Sequence, residues 1–341
     1  MYSFVNDYSE GAHPRILEAM VRANLEQNNG YGLDNHSNQA TELIKKLLKK
    51  PEADIHFIPG GTQTNLLVIS SFLRPHECVI AADMGHINVH ETGAIEATGH
   101  KVIAIPAAEG KLTPEAILKA LEYHSGEHMV KPRMVYLSNA TELGTIYTRE
   151  ELTKLYMLCR EKNLYLFLDG ARLGSAMTCP ENDLTFSDIA GLADVFYIGG
   201  TKNGALLGEA LVICREELKE EFRYLIKQRG AMLAKGFVIG IQFEELFRDE
   251  LYFDLARHAN RMAGKIAVAL KECGYSFQAA PVTNQLFPIL PDLLIHQLEK
   301  NFKFLVMERY DEGHSIIRLV TSWATTEESV ERLCEFLHQI A

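Results

Sequence analysis

The chain has 341 residues and a formal net charge of −11 at pH 7, with 47% hydrophobic and 23% charged residues. This is the composition of a globular protein long enough to form more than one domain. No run of lysines and arginines offers the positive stripe that phosphate neutralisation requires, so we do not expect nucleic acid as a partner. We do not expect a membrane partner either, because the longest apolar stretch, residues 230–243, is interrupted by Lys235 and is too short to span a bilayer.

The first residues and the cysteines indicate where the protein resides. The sequence begins without the basic and apolar segments of a signal peptide. Zinc sites and disulfide frameworks need clustered cysteines, whereas the cysteines here are scattered singly. We therefore predict a cytoplasmic protein with reduced thiols and no metal site, the cysteines being Cys78, Cys159, Cys179, Cys214, Cys273 and Cys334.

Between residues 54 and 213 short apolar segments alternate with helical ones. Several of the apolar segments lack polar residues altogether, which is typical of strands that are covered on both faces. The pattern therefore predicts a mostly parallel sheet between helices such as 62–73, 113–122 and 149–163. The seven predicted strands are 54–58, 78–81, 101–105, 133–138, 164–168, 194–198 and 209–213.

The pattern changes after Arg215. Apolar residues between 251 and 273 step by threes and fours, which predicts one long helix with a buried face. Shorter strands at 285–289, 302–306 and 315–320 and helices at 292–300 and 326–339 follow. We therefore predict an α/β protein with an N-terminal arm and helix (1–40), a large domain holding the seven-stranded sheet (41–240) and a smaller C-terminal α/β domain (241–341).

Three polar motifs follow predicted strands, at the carboxyl edge where ligands bind in open parallel sheets. Residues 60–63 run from glycines into a helix, and this segment fits either a phosphate-binding loop or an ordinary tight turn. Asp169 follows strand 164–168 and fits either a buried carboxylate with a cationic partner or a helix N-cap. Lys202, between the pair Gly199-Gly200 and Gly204 after strand 194–198, fits either a lysine directed into a cleft or a solvated loop residue.

Taken together, the three motifs match the requirements of one cofactor, pyridoxal 5'-phosphate. This cofactor needs an anion-binding loop for its phosphate, an acid partner for its pyridine nitrogen and a lysine that forms a Schiff base. The order of loop, aspartate and lysine along successive strand–helix units therefore predicts a pyridoxal-phosphate enzyme.

Over residues 4–325 the chain resembles the threonine aldolases within the fold type I, or aspartate-aminotransferase-type, superfamily of pyridoxal-phosphate enzymes. The stretches 140–145 and 199–204 are typical of a low-specificity subgroup. The resemblance implies retro-aldol cleavage of L-threonine and L-allo-threonine, with β-elimination and transamination on the same scaffold as the alternatives. The matching segments are 4–14, 31–32, 61–65, 85–86, 140–145, 169–172, 199–204, 227–230 and 318–323.

The resemblance also implies a role for individual residues. Lys202 would be the Schiff-base lysine, Asp169 would pair with the pyridine nitrogen, and His86 would stack over the ring. Arg172 would reach the cofactor's phenolic oxygen or the substrate carboxylate, and Arg318 would clamp that carboxylate through its guanidinium fork. The phosphate side of the cofactor would be held by Gly61, Thr62, Gln63 and Thr201.

The remaining expectations concern the subunit arrangement and two departures from the family pattern. Family members are dimers or dimers of dimers, so the resemblance implies a homodimer or homotetramer. Asn6 replaces a serine that contacts the substrate carboxylate, and Glu142 replaces a histidine that contacts the substrate hydroxyl. The base that removes the hydroxyl proton stays open between His86, Glu142 and an ordered water. Three residues would reach the site from a neighbouring subunit, namely Tyr31, Lys227 and Lys235.

Overall fold

The computed structural model describes residues 1–340. Its strands are β1 (Tyr2–Ser3), β2 (Asp54–Ile58), β3 (Glu77–Ala82), β4 (Val102–Ile105), β5 (Lys131–Ser138), β6 (Tyr165–Asp169), β7 (Val195–Gly199), β8 (Glu209–Ile213), β9 (Ser276–Phe277), β10 (Gln285–Leu286), β11 (Pro288–Pro291), β12 (Phe302–Lys303), β13 (Leu305–Arg309) and β14 (His314–Val320). Its helices are α1 (Pro14–Ala23), α2 (Asn35–Leu48), α3 (Gly61–Phe72), α4 (His86–Val89), α5 (Pro114–Tyr123), α6 (Arg149–Glu161), α7 (Leu173–Thr178), α8 (Phe186–Leu192), α9 (Phe222–Gln228), α10 (Phe237–Phe247), α11 (Leu251–Glu272), α12 (Asp292–Leu298) and α13 (Glu327–Ile340).

The large sheet has seven strands in the order β2-β8-β7-β6-β5-β3-β4. Strand β8 runs antiparallel to both of its neighbours, and the other pairs are parallel. Alternate residues of the central strands enter two different apolar clusters, as a sheet covered by helices on both faces requires. The predicted seven-stranded, mostly parallel sheet is therefore confirmed.

Two of the predicted helices begin directly after an N-cap threonine. Thr113 caps α5, which begins with Pro114, and Thr148 forms a capping box with Glu151 at the start of α6. The long helix α11 buries one face from Leu251 to Leu270, as its apolar spacing predicted. None of the helices within residues 1–340 is long and apolar enough to cross a membrane.

The C-terminal part contains a second sheet, which is antiparallel and has the order β10-β14-β11-β9, with β13 also paired to β14. The predicted strand 302–306 is divided, because β12 pairs with β1 and β13 pairs with β14. Through this pairing the first residues of the chain join the C-terminal core, where Phe4 is fully buried. The boundaries at residues 40 and 240 stay a prediction.

Candidate active site

Asp169 ends β6, at the carboxyl edge of the large sheet, and is only 4% exposed. Its Oδ2 accepts hydrogen bonds from the Tyr136 hydroxyl and from Asn65 Nδ2 at 3.2 Å, and its Oδ1 accepts one from the Ala171 amide at 2.9 Å. A buried carboxylate is costly unless donors surround it, and here three donors do so. Asp169 is thus a fixed, buried acceptor rather than only the cap of a helix.

Lys202 lies in the turn between β7 and β8, at the same edge. Its Nζ is 6.0 Å from the centroid of the Tyr8 ring, and it makes no hydrogen bond within residues 1–340. Burial lowers the pKa of Lys202, and the nearby charge of Arg172 lowers it further. A depressed pKa raises the fraction of neutral amine, which is the nucleophilic form.

The lysine turn is held by Glu209, a buried residue that the sequence analysis did not single out. Its two carboxylate oxygens accept hydrogen bonds from the Gly200 amide at 3.0 Å and from the Thr201 hydroxyl at 2.8 Å. Burial raises the pKa of Glu209 to about 8. A charged residue at the start of the otherwise apolar strand 209–213 was the signal that could have identified it.

Arg172 forms a bidentate ion pair with Asp7. Its Nε donates to Asp7 Oδ2 at 2.7 Å and its Nη2 donates to Asp7 Oδ1 at 3.0 Å, while Asn284 Nδ2 donates to Oδ2 at 3.0 Å. Asp7 is 1% exposed, and although its burial acts in the opposite direction, the charges of Arg172 and Lys202 lower the pKa of Asp7. Asn6 instead accepts from its own loop, at the Tyr8 amide and the Ser9 hydroxyl.

Replacing Asp7 with asparagine is expected to lower the free energy of unfolding at neutral pH by about 3 kcal/mol, because it breaks a buried ion pair. Since the folded-state pKa of Asp7 is below its ordinary value of 3.8, this contribution is present above pH 4 and is lost as the pH falls through the folded pKa. Denaturant unfolding between pH 3 and pH 7 should therefore show the two proteins converging in acid. A constant difference across this range would contradict the ion-pair account. The exposed ion pair between Lys154 and Glu150 provides a control, because Glu150→Gln should leave the free energy of unfolding unchanged at every pH.

Arg318 comes from β14 of the C-terminal part and is half-buried. One Nη donates to the carbonyl of Val5 at 3.2 Å, and its Nε is buried without a partner among the described residues. Burial lowers the pKa of Arg318, and the charge of Arg172 acts in the same direction. Two guanidinium groups with an unsatisfied donor make this corner of the site suitable for an anion.

His86 opens the short helix α4 after β3. Its Nδ1 lies 2.7 Å from Glu91 Oε1, which also accepts from Asn65 Nδ2 at 2.7 Å. Asn65 in turn donates to Asp169, so a continuous chain of hydrogen bonds joins His86 to Asp169. Asn65 ends the matched segment 61–65 and could have been identified there, whereas no pattern in the sequence marks Glu91 or Tyr136.

Glu142 lies next to His86 but is already engaged. Its Oε1 accepts hydrogen bonds from the Ser138 hydroxyl at 2.7 Å and from the His86 amide at 2.9 Å. Burial raises the pKa of Glu142 above its ordinary value. The arrangement makes Glu142 a residue that fixes the start of α4 through one carboxylate oxygen.

Gly61, Thr62 and Gln63 form the first turn of α3, next to the carboxyl end of β2. Their amides have no acceptor within residues 1–340, as is usual at a helix start. A Cβ at Gly61 would lie 3.2 Å from the Tyr197 hydroxyl, so glycine suits this close approach. The side-chain amide of Gln63 donates to the carbonyl of Arg229 at 3.2 Å. The backbone amide of Gln63 remains available to an anion.

Tyr31, Lys227 and Lys235 are exposed and lie close to one another. The Lys227 ammonium is 4.9 Å from the Tyr31 ring centroid, and the Tyr31 amide donates to the carbonyl of Ala234, which precedes Lys235. No hydrogen bond or ion pair in the described chain joins these three residues to Lys202, Asp169 or Arg172. Within the described chain they therefore make no direct polar contact with these site residues.

The carboxyl edge of the large sheet gathers a lysine, an aspartate, an arginine and a histidine, and the C-terminal sheet adds a second arginine. This is the arrangement of an enzyme for a small anionic substrate. Comparison with known proteins identifies the class more closely. The model of the β-eliminating lyase family matches residues 5–291, and the chain belongs to this family.

Individual relatives agree with this assignment. The low specificity L-threonine aldolase of Pseudomonas aeruginosa is 31% identical over 337 residues, which cover 97% of this chain and 95% of that protein. A solved structure of Leishmania major threonine aldolase is 52% identical, with a TM-score of 0.98 over 100% of this chain and 99% of that one. An aspartate aminotransferase mutant of Thermus thermophilus, 14% identical with a TM-score of 0.74 over 100% and 92% of the two chains, shares the fold alone. The predicted fold type and the resemblance to threonine aldolases are confirmed.

Proposed function

We propose that the protein is a pyridoxal-5'-phosphate-dependent aldolase that cleaves L-threonine, L-allo-threonine and related β-hydroxy-α-amino acids to glycine and an aldehyde. The observation that carries this proposal is the convergence of Lys202, Asp169 and two arginines at one edge of the sheet. The activity named for the relatives in Pseudomonas aeruginosa and Leishmania major supports the reaction and the substrate class.

The residues at this edge fit the cofactor. The free amides at the start of α3 suit a phosphate, and the hydroxyl of Thr201 lies in the lysine turn beside them. Asp169 offers a buried carboxylate for the pyridine nitrogen, and Lys202 offers an amine with a lowered pKa. When bound, pyridoxal phosphate supplies a ring that accepts electrons from Cα of the amino acid attached to it.

In this proposal each side chain has a distinct task. Lys202 would hold the cofactor through Nζ. Asp169 would keep a proton on the pyridine nitrogen, and His86 would pack against the ring. Arg318 binds the substrate carboxylate through its unsatisfied donors. Because Arg172 is already paired with Asp7, its contribution is to place positive charge beside the carboxylate rather than to offer a free fork.

The bond that breaks is set by the carboxylate contact and by a base. A held carboxylate would fix the orientation of the bonds at Cα. His86 would take the proton of the β-hydroxyl as the Cα–Cβ bond breaks and acetaldehyde leaves. Water would then supply the proton on Cα that completes glycine, and His86 would return its proton to water. We assign the base to His86 rather than to Glu142, because one oxygen of Glu142 already accepts two hydrogen bonds.

Product analysis tests the proposal directly. The purified protein, supplied with pyridoxal phosphate, is incubated with L-threonine, L-allo-threonine and L-serine, and acetaldehyde, glycine and pyruvate are quantified. An aldolase gives equal amounts of acetaldehyde and glycine from the threonine isomers. Pyruvate from serine without acetaldehyde from threonine would instead assign β-elimination, the activity in the family's name.

Replacing Arg318 with alanine is expected to weaken amino-acid binding far more than cofactor binding. A half-buried carboxylate contact contributes about 2 kcal/mol, which equals about thirtyfold in affinity. Titration with glycine, together with acetaldehyde release from threonine, measures the effect. Arg309, an exposed arginine on the neighbouring strand β13, provides a control. Arg309→Ala should change neither the glycine affinity nor the release of acetaldehyde. Unchanged glycine affinity in the Arg318 variant would move the clamp to Arg172.

We further propose a cytoplasmic homodimer or homotetramer in which Tyr31, Lys227 and Lys235 complete the site of a neighbouring subunit. Their exposure and the absence of polar contacts to Lys202 within the described chain support this arrangement, and the free state of all six cysteines is typical of the cytoplasm. Mixing inactive Lys202→Ala with inactive Lys227→Ala should restore activity through hybrid oligomers that contain one intact site. Size-exclusion chromatography with light scattering gives the oligomeric state, and folded mixtures that stay inactive would argue against shared sites.

A further inference from the structure

Glu91 is a buried carboxylate to which neither the sequence motifs nor the proposed reaction assigns a role. It follows α4 by two residues, and its side chain has no exposed surface. Its Oε1 lies 2.7 Å from His86 Nδ1 and accepts from Asn65 Nδ2 at 2.7 Å. Its Oε2 is buried and has no partner among residues 1–340. A carboxylate in this setting needs an explanation, because burial of an unpaired charge costs several kcal/mol.

The explanation lies in the imidazole beside it. Within the described chain, His86 is the one basic side chain in ion-pair distance of Glu91. Since the Glu91 oxygen already accepts a hydrogen bond from Asn65, it acts as an acceptor toward His86 as well. The proton between the two groups therefore belongs to Nδ1 of His86. The tautomer of a histidine is set by the hydrogen bond of one ring nitrogen, so Nε2 is left as the basic nitrogen.

Asn65 extends this constraint to Asp169. Its amide nitrogen donates both to Glu91 Oε1 and to Asp169 Oδ2. An amide oxygen in that place would face two carboxylates, so the orientation of this amide is fixed by its partners. The side-chain amide of Asn65 thus joins Asp169 to Glu91, the carboxylate next to His86. A shift of Asp169 would therefore displace Glu91 as well.

We propose that Glu91 is a positioning residue, which keeps the proton of His86 on Nδ1 and leaves Nε2 free to accept the proton of the substrate hydroxyl. The inference rests on the proposed function for the role of His86. It adds that the imidazole is oriented by a buried carboxylate, as in other sites where an outer partner fixes a histidine. The titratable groups that surround the pair are His90 on the same turn, Glu142 at the His86 amide, Tyr136 and Asp169 on the sheet, and Lys202 across the site.

Two substitutions separate the charge of Glu91 from its hydrogen bond. Glu91→Gln removes the charge but retains an oxygen acceptor of the same size, whereas Glu91→Leu removes both. Nitrogen-15 spectra of the histidine rings report which nitrogen carries the proton, and the His86 signals are assigned by their loss in His86→Phe. The spectra are recorded at alkaline pH on the protein with and without pyridoxal phosphate. The kcat for threonine cleavage is measured on the cofactor-loaded enzyme across pH.

The wild-type protein and Glu91→Gln should both carry the His86 proton on Nδ1, and Glu91→Leu should transfer it largely to Nε2. We expect kcat to fall at least tenfold in Glu91→Leu and to recover in large part in Glu91→Gln. A matched control is Glu77→Gln, which alters a buried carboxylate at the opposite end of β3 and should change neither spectrum nor profile.

A wild-type protein with the proton on Nε2, or a folded Glu91→Leu variant that keeps it on Nδ1, would overturn the inference. If Glu91→Leu does not fold, the wild-type spectrum decides, and a His86 proton on Nε2 overturns the proposal. Failure of the proposed function is recognised separately. In that case the wild-type protein holds the Nδ1 proton but releases no acetaldehyde from threonine.

Discussion

Replacing Lys202 with alanine is expected to reduce threonine cleavage on the order of 10³-fold or more, which corresponds to about 4 kcal/mol of transition-state stabilisation. The turn between β7 and β8 brings a single lysine to the edge where Asp169 and the first turn of α3 meet. A neighbouring lysine therefore cannot substitute for its amine. Acetaldehyde release, cofactor absorbance after gel filtration and borohydride labelling followed by peptide mapping measure the effect.

Lys50 provides a suitable control, because it is a partly buried lysine outside the site and donates to the carbonyl of Ala190 at 3.0 Å. Lys50→Ala should retain cofactor binding and threonine cleavage. Labelling of any lysine other than Lys202 in the wild-type protein would refute the assignment, whatever the activity of the variants.

The second large effect is expected for Asp169→Asn, with a loss on the order of 10²-fold to 10³-fold in kcat. The amide keeps the size of the side chain, and its single oxygen can still accept the hydrogen bond from Tyr136 or the one from Ala171, which bind different oxygens of Asp169. It cannot hold a proton on the pyridine nitrogen by its charge, so the ring would withdraw electrons less strongly. Steady-state kinetics with threonine and the thermal unfolding temperature separate this electronic effect from a loss of structure.

The large sheet itself provides the control for this substitution. Asp194, 3% exposed, accepts a hydrogen bond from the Leu166 amide at 2.8 Å at the start of β6 rather than at its end. Asp194→Asn should lower the unfolding temperature without a comparable loss in kcat. Near-native turnover in Asp169→Asn would contradict the proposed partner of the pyridine nitrogen.

The large sheet could be predicted because burial on both faces leaves a continuous apolar signal in each strand, as in β6 and β7. The division of 302–306 into two strands could not, since Phe302 pairs with Tyr2, a residue distant in sequence. Local pattern carries no information on such a partner.

The same distinction applies to the site. Lys202 and Asp169 stand at the ends of recognisable strands, so their positions followed from the sequence pattern. The pairing of Asp7 with Arg172 spans 165 residues, and that of Glu91 with His86 depends on how the chain turns after α4. These contacts depend on tertiary structure, and their discovery required the fold.

The pairing of β1 with β12 has a consequence for how the protein is made. A ribosome synthesises the first ten residues long before it reaches Phe302 and Arg318, the partners of Tyr2 and Val5. Tyr2 and Val5 must therefore remain without these partners while the large sheet is synthesised, because contacts of such high sequence separation form late. Assembly of the anion-binding corner thus coincides with completion of the chain, and a nascent protein cannot acquire its activity before its last strands have left the ribosome.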